Sequence, residues 1–200
     1  MVYFIVAALV GYLLGSISFA VIFSKRFHGE DIRESGSGNA GATNAIRLYG
    51  KKTGAAVFVC DVAKGIVSVF VAKILISVFN APYETVLVAG FFVQLGHVLP
   101  LYHGFRGGKG VATAVGVALA LMPLTAVILL ALFVAVLFLS KYVAVASGFC
   151  AAAYPVLAYF LSSSNATQNC IFAVICSMLI LIKHSSNFIR LSRGEEGKIK

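Results

Sequence analysis

From its first residues the chain returns again and again to apolar runs of about 20 residues, the length a helix needs to cross the hydrocarbon core of a bilayer. Such runs cover about 2–24, 54–79, 85–101, 142–161 and 170–182, with a longer one from 111 to 140. Inside a bilayer the backbone must satisfy its own hydrogen bonds, so each run is expected to be helical. With 60% hydrophobic and 12% charged residues, 200 residues hold too little polar surface to cover a soluble sphere. The expected fold is therefore all-α, a polytopic membrane helix bundle, with residues 1–200 forming one membrane-embedded domain.

The 111–140 run is too long for one crossing and too short for two full ones, and the distribution of cations decides how to read it. Six Lys or Arg lie between 25 and 53, two at Arg106 and Lys109, one at Lys141 and five from Lys183 onward. A turn at Met122-Pro123 puts all fourteen on one face; a single kinked helix does not. The positive-inside rule then predicts seven transmembrane helices with a short or tilted fourth, the N-terminus outside and the C-terminus cytoplasmic. The net charge of +9 thus marks a membrane face, not a nucleic-acid partner. Met1 starts an apolar run with no basic stretch before it and Lys25-Arg26 after it, the order of an uncleaved first helix. Cys60, Cys150, Cys170 and Cys176 all fall in apolar runs without metal-ligand spacing and read as packing residues.

Three polar clusters interrupt this pattern. The first is 96–113, where His97, His103, Arg106 and Lys109 accompany Gly104, Gly107, Gly108 and Gly110 at a hinge between apolar runs. Glycines allow successive amides to turn toward one point and the cations add charge, a combination suited to phosphate. The spacing is not that of a nucleotide P-loop, since Gly110 stands where a magnesium-binding hydroxyl belongs. A flexible basic loop against lipid headgroups is the plainer reading of the same residues.

The second cluster, 35–47, alternates Ser35, Ser37, Asn39, Thr43 and Asn44 with Gly36, Gly38 and Gly41 and ends in Arg47. It suits a cradle for an oxygen-rich ligand with a guanidinium clamp, and competes with a reading as a Gly/Ser linker. In the third, His184, Asn187 and Arg190 recur every three residues, one stripe if the last helix continues, or else a lipid-facing interfacial helix. Asp61 and Lys64, three apart within an apolar run, are expected to neutralise each other facing the bundle interior, and Lys73 to reach the outer face. No carboxylate cluster fits a metal, no Ser-His-Asp order is present, and Tyr102 and Gly108 stand where an HxxxxD dyad would need its aspartate after His97 and His103. The absence of an inverted repeat weakens an organophosphate or anion transporter, the principal alternative; a basic, lipid-binding scaffold is the other.

Taken in order, Ser37 to Asn44, the Asp-x-x-Lys-Gly at Asp61, the Gly-His-x-x-Pro and Gly-Gly-Lys-Gly-Val-Ala-Thr elements of 96–113, and the His-x-x-Asn-x-x-Arg tail from His184 to Glu195 closely resemble the motifs of the bacterial acyl-phosphate:glycerol-3-phosphate acyltransferase family, PlsY. The resemblance runs over nearly the whole chain. It implies an enzyme of the bacterial inner membrane, active on the cytoplasmic face, that moves a fatty acyl group from acyl phosphate to the 1-hydroxyl of glycerol 3-phosphate. Neither cofactor nor metal, acyl-CoA nor acyl carrier protein is implied, and nothing in the sequence fixes an oligomeric state. Carried onto this chain, Lys109 and the Gly107, Gly108 and Gly110 backbone would hold the donor phosphate. Arg47, His184, Asn187 and Arg190 would anchor the acceptor, with Gly38, Asn44 and Thr113 also lining the substrates. Ser35, Ser37 and Asn39 would orient the reacting centre, while Asp61, Lys64 and His97 support it from behind. The proton of the attacking hydroxyl would go to the donor phosphate or to His184.

Overall fold

The computed structural model describes residues 1–199. Their regular structure is helical throughout, with no strand among the described residues. Six helical stretches are long and apolar enough to cross a membrane, by length and composition: Val2–His28, Ala42–Phe79, Glu84–His103, Pro123–Ser140, Val143–Leu161 and Ala166–Lys183. Val111–Leu121 is apolar but shorter. The chain divides into two compact units, Met1–Leu121 and Met122–Lys200.

The first unit contains α1 (Val2–Ser16), α2 (Phe19–His28), α3 (Ala42–Phe79), α4 (Glu84–Val98) and α5 (Val111–Leu121). Small residues set its packing. A side chain on Gly11 or Gly15 would strike the backbone of α4 at Ala89 and Val93, and one on Gly96 would strike Tyr12 of α1. Gly65 and Gly116 bring α3 and α5 equally close. In a bilayer such close backbone approach gives the van der Waals contact that hydrophobic burial cannot provide.

Two helix breaks differ from the sequence expectation. The first crossing, expected as one helix over about 2–24, is interrupted at Ile17-Ser18, where the backbone is extended. The reason lies in α3: the buried Lys64 ammonium donates to the carbonyls of Gly15 at 3.0 Å and Ile17 at 2.8 Å, groups that an unbroken helix would keep for itself. The second helix, expected from about 54, already begins at Ala42 and kinks at Gly50, whose φ of 86° is open to glycine but strained for other residues. The polar stretch after α2 is thus half helical. Lys73 donates to the carbonyl of Ala120 at 2.8 Å and closes the C-terminal end of α5.

The second unit contains α6 (Pro123–Ser140), α7 (Val143–Leu161), α8 (Ala166–Lys183) and α9 (Ser185–Ser192). Pro123 occupies the first turn of α6, as the turn reading of Met122-Pro123 requires, because its missing N–H is unneeded there. Pro155 lies within α7, which continues through it. The last long helix starts at Ala166, earlier than expected from about 170, and its helical course resumes past His184 as α9. The tail then returns to the α6–α7 junction, where the Ile199 N–H donates to Lys141 at 2.9 Å and Lys198 lies 5.7 Å from the Tyr142 ring.

Candidate functional site

Within the first unit, the segment between α2 and α3 is a built structure, not a linker. Ile32 and Ala40 are fully buried in a small core with Ala20, Val21, Ala45 and Val57, flanked by Phe23, Leu48 and Tyr49. Ser24 Oγ receives the Ile32 N–H at 3.2 Å. Asn44 closes the loop: its Oδ1 accepts from Ser37 N at 3.0 Å, while its amide donates to Ile32 O at 3.2 Å and Ser35 O at 3.1 Å. Buried and with both ends of its amide engaged, Asn44 shapes the loop from within. The hydroxyls of Ser35 and Ser37, by contrast, make no hydrogen bond to any described residue, and Ser37 and Gly38 are exposed. Asn39 is half-buried beside them, and Arg47 stands exposed one turn beyond Asn44.

The glycine segment is held against the end of α4. Tyr12 donates to the carbonyl of Leu99 at 2.9 Å, and Leu101 N donates to Ser16 Oγ at 3.1 Å, which ties the turn after α4 to α1. Gly104 and Phe105 are both left-handed, at φ 63° and 59°, and reverse the chain. Gly107 then lies against the backbone of His97 and the Pro100 ring, and Gly110 against Gln94. Gly108 donates its N–H to the His97 carbonyl at 3.1 Å, so of the amides expected to face phosphate this one is already committed. Lys109 is half-buried between the buried Gly108 and Gly110. The segment runs straight into the N-terminus of α5, whose first amides lack helical partners and whose dipole is positive there, a suitable place for an anion. Thr113, in that first turn, is fully buried and its Oγ1 has no partner among the described residues.

Beneath the segment lies a buried charged triad. Lys64 Nζ is 2.9 Å from Asp61 Oδ1 and 3.0 Å from His97 Nδ1, which is itself 3.4 Å from Asp61 Oδ1. With the two carbonyls freed by the α1 break, the ammonium has four acceptors for three protons. The His97 ring presents Nδ1 to Lys64 and Asp61 and turns its other nitrogen, Nε2, toward Gly108. Such a buried charge pair is tolerable because Lys64 and Asp61 neutralise each other, while the ammonium also donates to the two α1 carbonyls.

The serine-bearing loop and the glycine segment meet in this unit. The carbonyl of Ala40 lies 2.8 Å from the place a Gly108 Cβ would occupy. A second connection was not legible in the motifs: Arg33 grips Asp31 through Nε at 2.9 Å and Nη2 at 2.7 Å, and donates from Nη1 to the His103 carbonyl at 2.6 Å. Asp31, also 3.2 Å from Lys25, is held well below the ordinary carboxylate range, chiefly by the Arg33 hydrogen bond, against a desolvation that acts the other way. The same pairing pushes the Arg33 guanidinium upward.

In the second unit, His184 and Asn187 are buried and Arg190 is half-buried on consecutive turns. His184 Nδ1 lies 2.9 Å from the Ile180 carbonyl, which fixes the ring. Glu196, which the motif reading passed over in favour of its neighbour, accepts from Asn187 Nδ2 at 2.8 Å and from Arg190 Nε at 2.9 Å. Its signal in the sequence is a second carboxylate in a tail otherwise rich in cations. Among the described residues, no group of three or more His, Cys, Asp or Glu is placed to hold a metal ion.

These features match known proteins over the full length of the chain. The family model described as glycerol-3-phosphate acyltransferase aligns with residues 5–194. A glycerol-3-phosphate acyltransferase of Thermoanaerobacter sp. (strain X514) is 42% identical over 198 residues, covering 98% of this chain and 96% of the relative. One from Mesorhizobium japonicum is 42% identical over 200 residues, covering 100% and 98%. The crystal structure of PlsY, an integral membrane glycerol 3-phosphate acyltransferase, in its glycerol 3-phosphate form superposes with a TM-score of 0.89 at 32% identity, covering 98% of this chain and 96% of that one. Its lysophosphatidic acid form gives 0.86 at 31% identity, covering 98% and 95%. With the glycine segment, the serine-bearing loop and the tail all falling inside the matched region, the chain belongs to the glycerol-3-phosphate acyltransferase family.

Proposed function

We propose that this chain, acting as one membrane-embedded acyltransferase domain over residues 1–200, acylates glycerol 3-phosphate in phospholipid synthesis with acyl phosphate as donor. The hydroxyl oxygen at position 1 attacks the acyl carbonyl carbon, the bond from that carbon to the phosphate oxygen breaks, and lysophosphatidic acid and inorganic phosphate leave. Phosphate departs readily, so the protein's task is to position two anions that repel each other and to stabilise charge. The observation that carries the reading is the contact of Ala40 with Gly108, which brings two phosphate-suited elements together within one unit.

Lys109, with the unpaired amides at the start of α5, holds the donor phosphate; Gly107, Gly108 and Gly110 allow the segment to lie where it does. Arg47 clamps the acceptor phosphate, and Ser35, Ser37, Gly38 and Asn39 present polar groups to the reacting centre. His184, Asn187 and Arg190 keep the acceptor-binding role that the family motif implies, and Asn44, Thr113, Asp61, Lys64 and His97 support from behind. The hydroxyl proton passes to the departing phosphate, with His184 as the rival base. A His184→Ala variant that binds acceptor poorly but turns over normally at saturation favours the phosphate; intact binding with lost turnover favours His184.

The membrane reading is seven crossings of the bacterial inner membrane, α5 being the short one, with the N-terminus outside and the C-terminus and active site cytoplasmic. It is supported by the cation count and by the separation of α5 from α6 at Pro123. At about 16 Å, α5 crosses only part of the hydrocarbon, so the glycine segment lies below the surface of the leaflet, where a lipid-borne acyl phosphate can reach it.

Purified protein in detergent, given acyl phosphate and glycerol 3-phosphate, is expected to release phosphate, and Lys109→Ala to release little. Release with acyl-CoA but not acyl phosphate would overturn the donor, and an inert wild type would overturn the transferase.

A further inference from the structure

We infer that Arg33 is a positioning residue that sets the distance between the acceptor loop and the donor-phosphate segment, a role that rests on the transferase reading above. No motif of the family resemblance includes it. Two of its N–H groups are spent on Asp31, at 2.9 and 2.7 Å, and Asp31 in turn accepts the Arg33 backbone N–H at 3.1 Å, which fixes the guanidinium plane to the turn at Ile32–Glu34. That turn precedes Ser35 directly, and Ile32 anchors it in the loop's core. The remaining nitrogen, Nη1, reaches across 70 residues of sequence to the His103 carbonyl at 2.6 Å, with the Arg106 carbonyl at 3.5 Å. Both carbonyls belong to the left-handed reversal at Gly104-Phe105 that delivers Gly107 to Lys109.

A guanidinium is suited to this because it is planar and its donors diverge in a fixed fork. One arm holds a carboxylate in two places while the other holds a peptide carbonyl, and the plane transmits the position of one loop to the other. A lysine ammonium has the charge but cannot make both grips at this separation. The charge is balanced locally by Asp31, so Arg33 does not compete with Lys109 and Arg47 for substrate phosphate. Its effect is on geometry, and it therefore appears in how well both substrates are seated together.

The test uses the full-length enzyme in detergent, with kinetics for both substrates and hydrogen exchange of the 103–108 amides on wild type, Arg33→Ala and Arg33→Lys. A hydrogen bond from a charged group carries a roughly tenfold or larger effect, so both variants are expected to raise KM for the donor and lower kcat/KM about tenfold or more. Exchange at 103–108 is expected to speed by a similar factor. A residue needed only for folding would lower the active fraction and leave KM and the surviving protein's exchange unchanged, and either of those results, or full rescue by lysine, overturns the proposal. If wild type transfers no acyl group, the transferase reading fails instead, and the exchange measurement still decides whether Arg33 restrains the segment.

Discussion

The Nε2 of His97 occupies the space into which any side chain at Gly108 would have to grow, and the Ala40 carbonyl closes the other side at 2.8 Å from the same point. Gly108→Ala must therefore move the glycine segment away from α4 or from the serine-bearing loop. A displacement of an ångström at a reacting centre costs on the order of a hundredfold. Phosphate release by this variant is expected to fall by about that factor, with KM raised for at least one substrate. Unchanged kinetics would show that the contact does not place the segment.

Lys64→Met removes the ammonium from a site where Asp61 is only 2% exposed, leaving a buried carboxylate without its partner and two carbonyls of α1 without a donor. Breaking a buried pair from one side costs about 3–5 kcal/mol. The variant should unfold at markedly lower temperature in detergent, and Asp61→Asn combined with Lys64→Met should recover part of the loss. Two single variants and a double that add without recovery would contradict the pairing.

The depressed titration of Asp31 makes a directional prediction about acid. Its folded value lies below the ordinary 3.8, so its contribution to stability is fully present above that pH and is lost as pH falls through it toward the folded value. Thermal midpoints measured from pH 6 downward should drop more steeply in wild type than in Asp31→Asn, which has no charge to lose. Parallel curves would remove Asp31 from the account.

Glu196 holds Asn187 and Arg190 at once, so Glu196→Ala should loosen both. The expected result is a KM for glycerol 3-phosphate raised about tenfold, with Glu196→Gln, which retains an acceptor, affected less. A KM equal to wild type for both variants would separate the carboxylate from the acceptor site.

Much of this architecture was legible from hydropathy and from turn-forming residues. Pro123 marked the start of α6 because its ring suits a first helical turn, and the Asp61–Lys64 spacing declared a pair because a lone charge at that depth is too costly. The glycines of 107–110 announced a special backbone, although the sequence could not say that Gly108 serves close packing against His97 as well as the site. What escaped were long-range uses of ordinary residues. The α1 break at Ile17-Ser18 carries no proline or glycine at its centre, since its cause is an ammonium more than 45 residues away, at Lys64. Arg33 looked like one cation among several in a polar stretch, and Asn44 looked like a ligand-facing amide when its hydrogen bonds turn inward.

The Lys64 grip on Gly15 and Ile17 also bears on how the protein is assembled during synthesis. When α1 enters the bilayer its broken end carries carbonyls that lipid cannot satisfy, and α3 arrives later with an ammonium that lipid cannot accept. Each liability is relieved by the other, so the first helix has reason to linger beside the insertion machinery until the second is made. The order of the chain thereby becomes part of the pathway by which the enzyme reaches its native state.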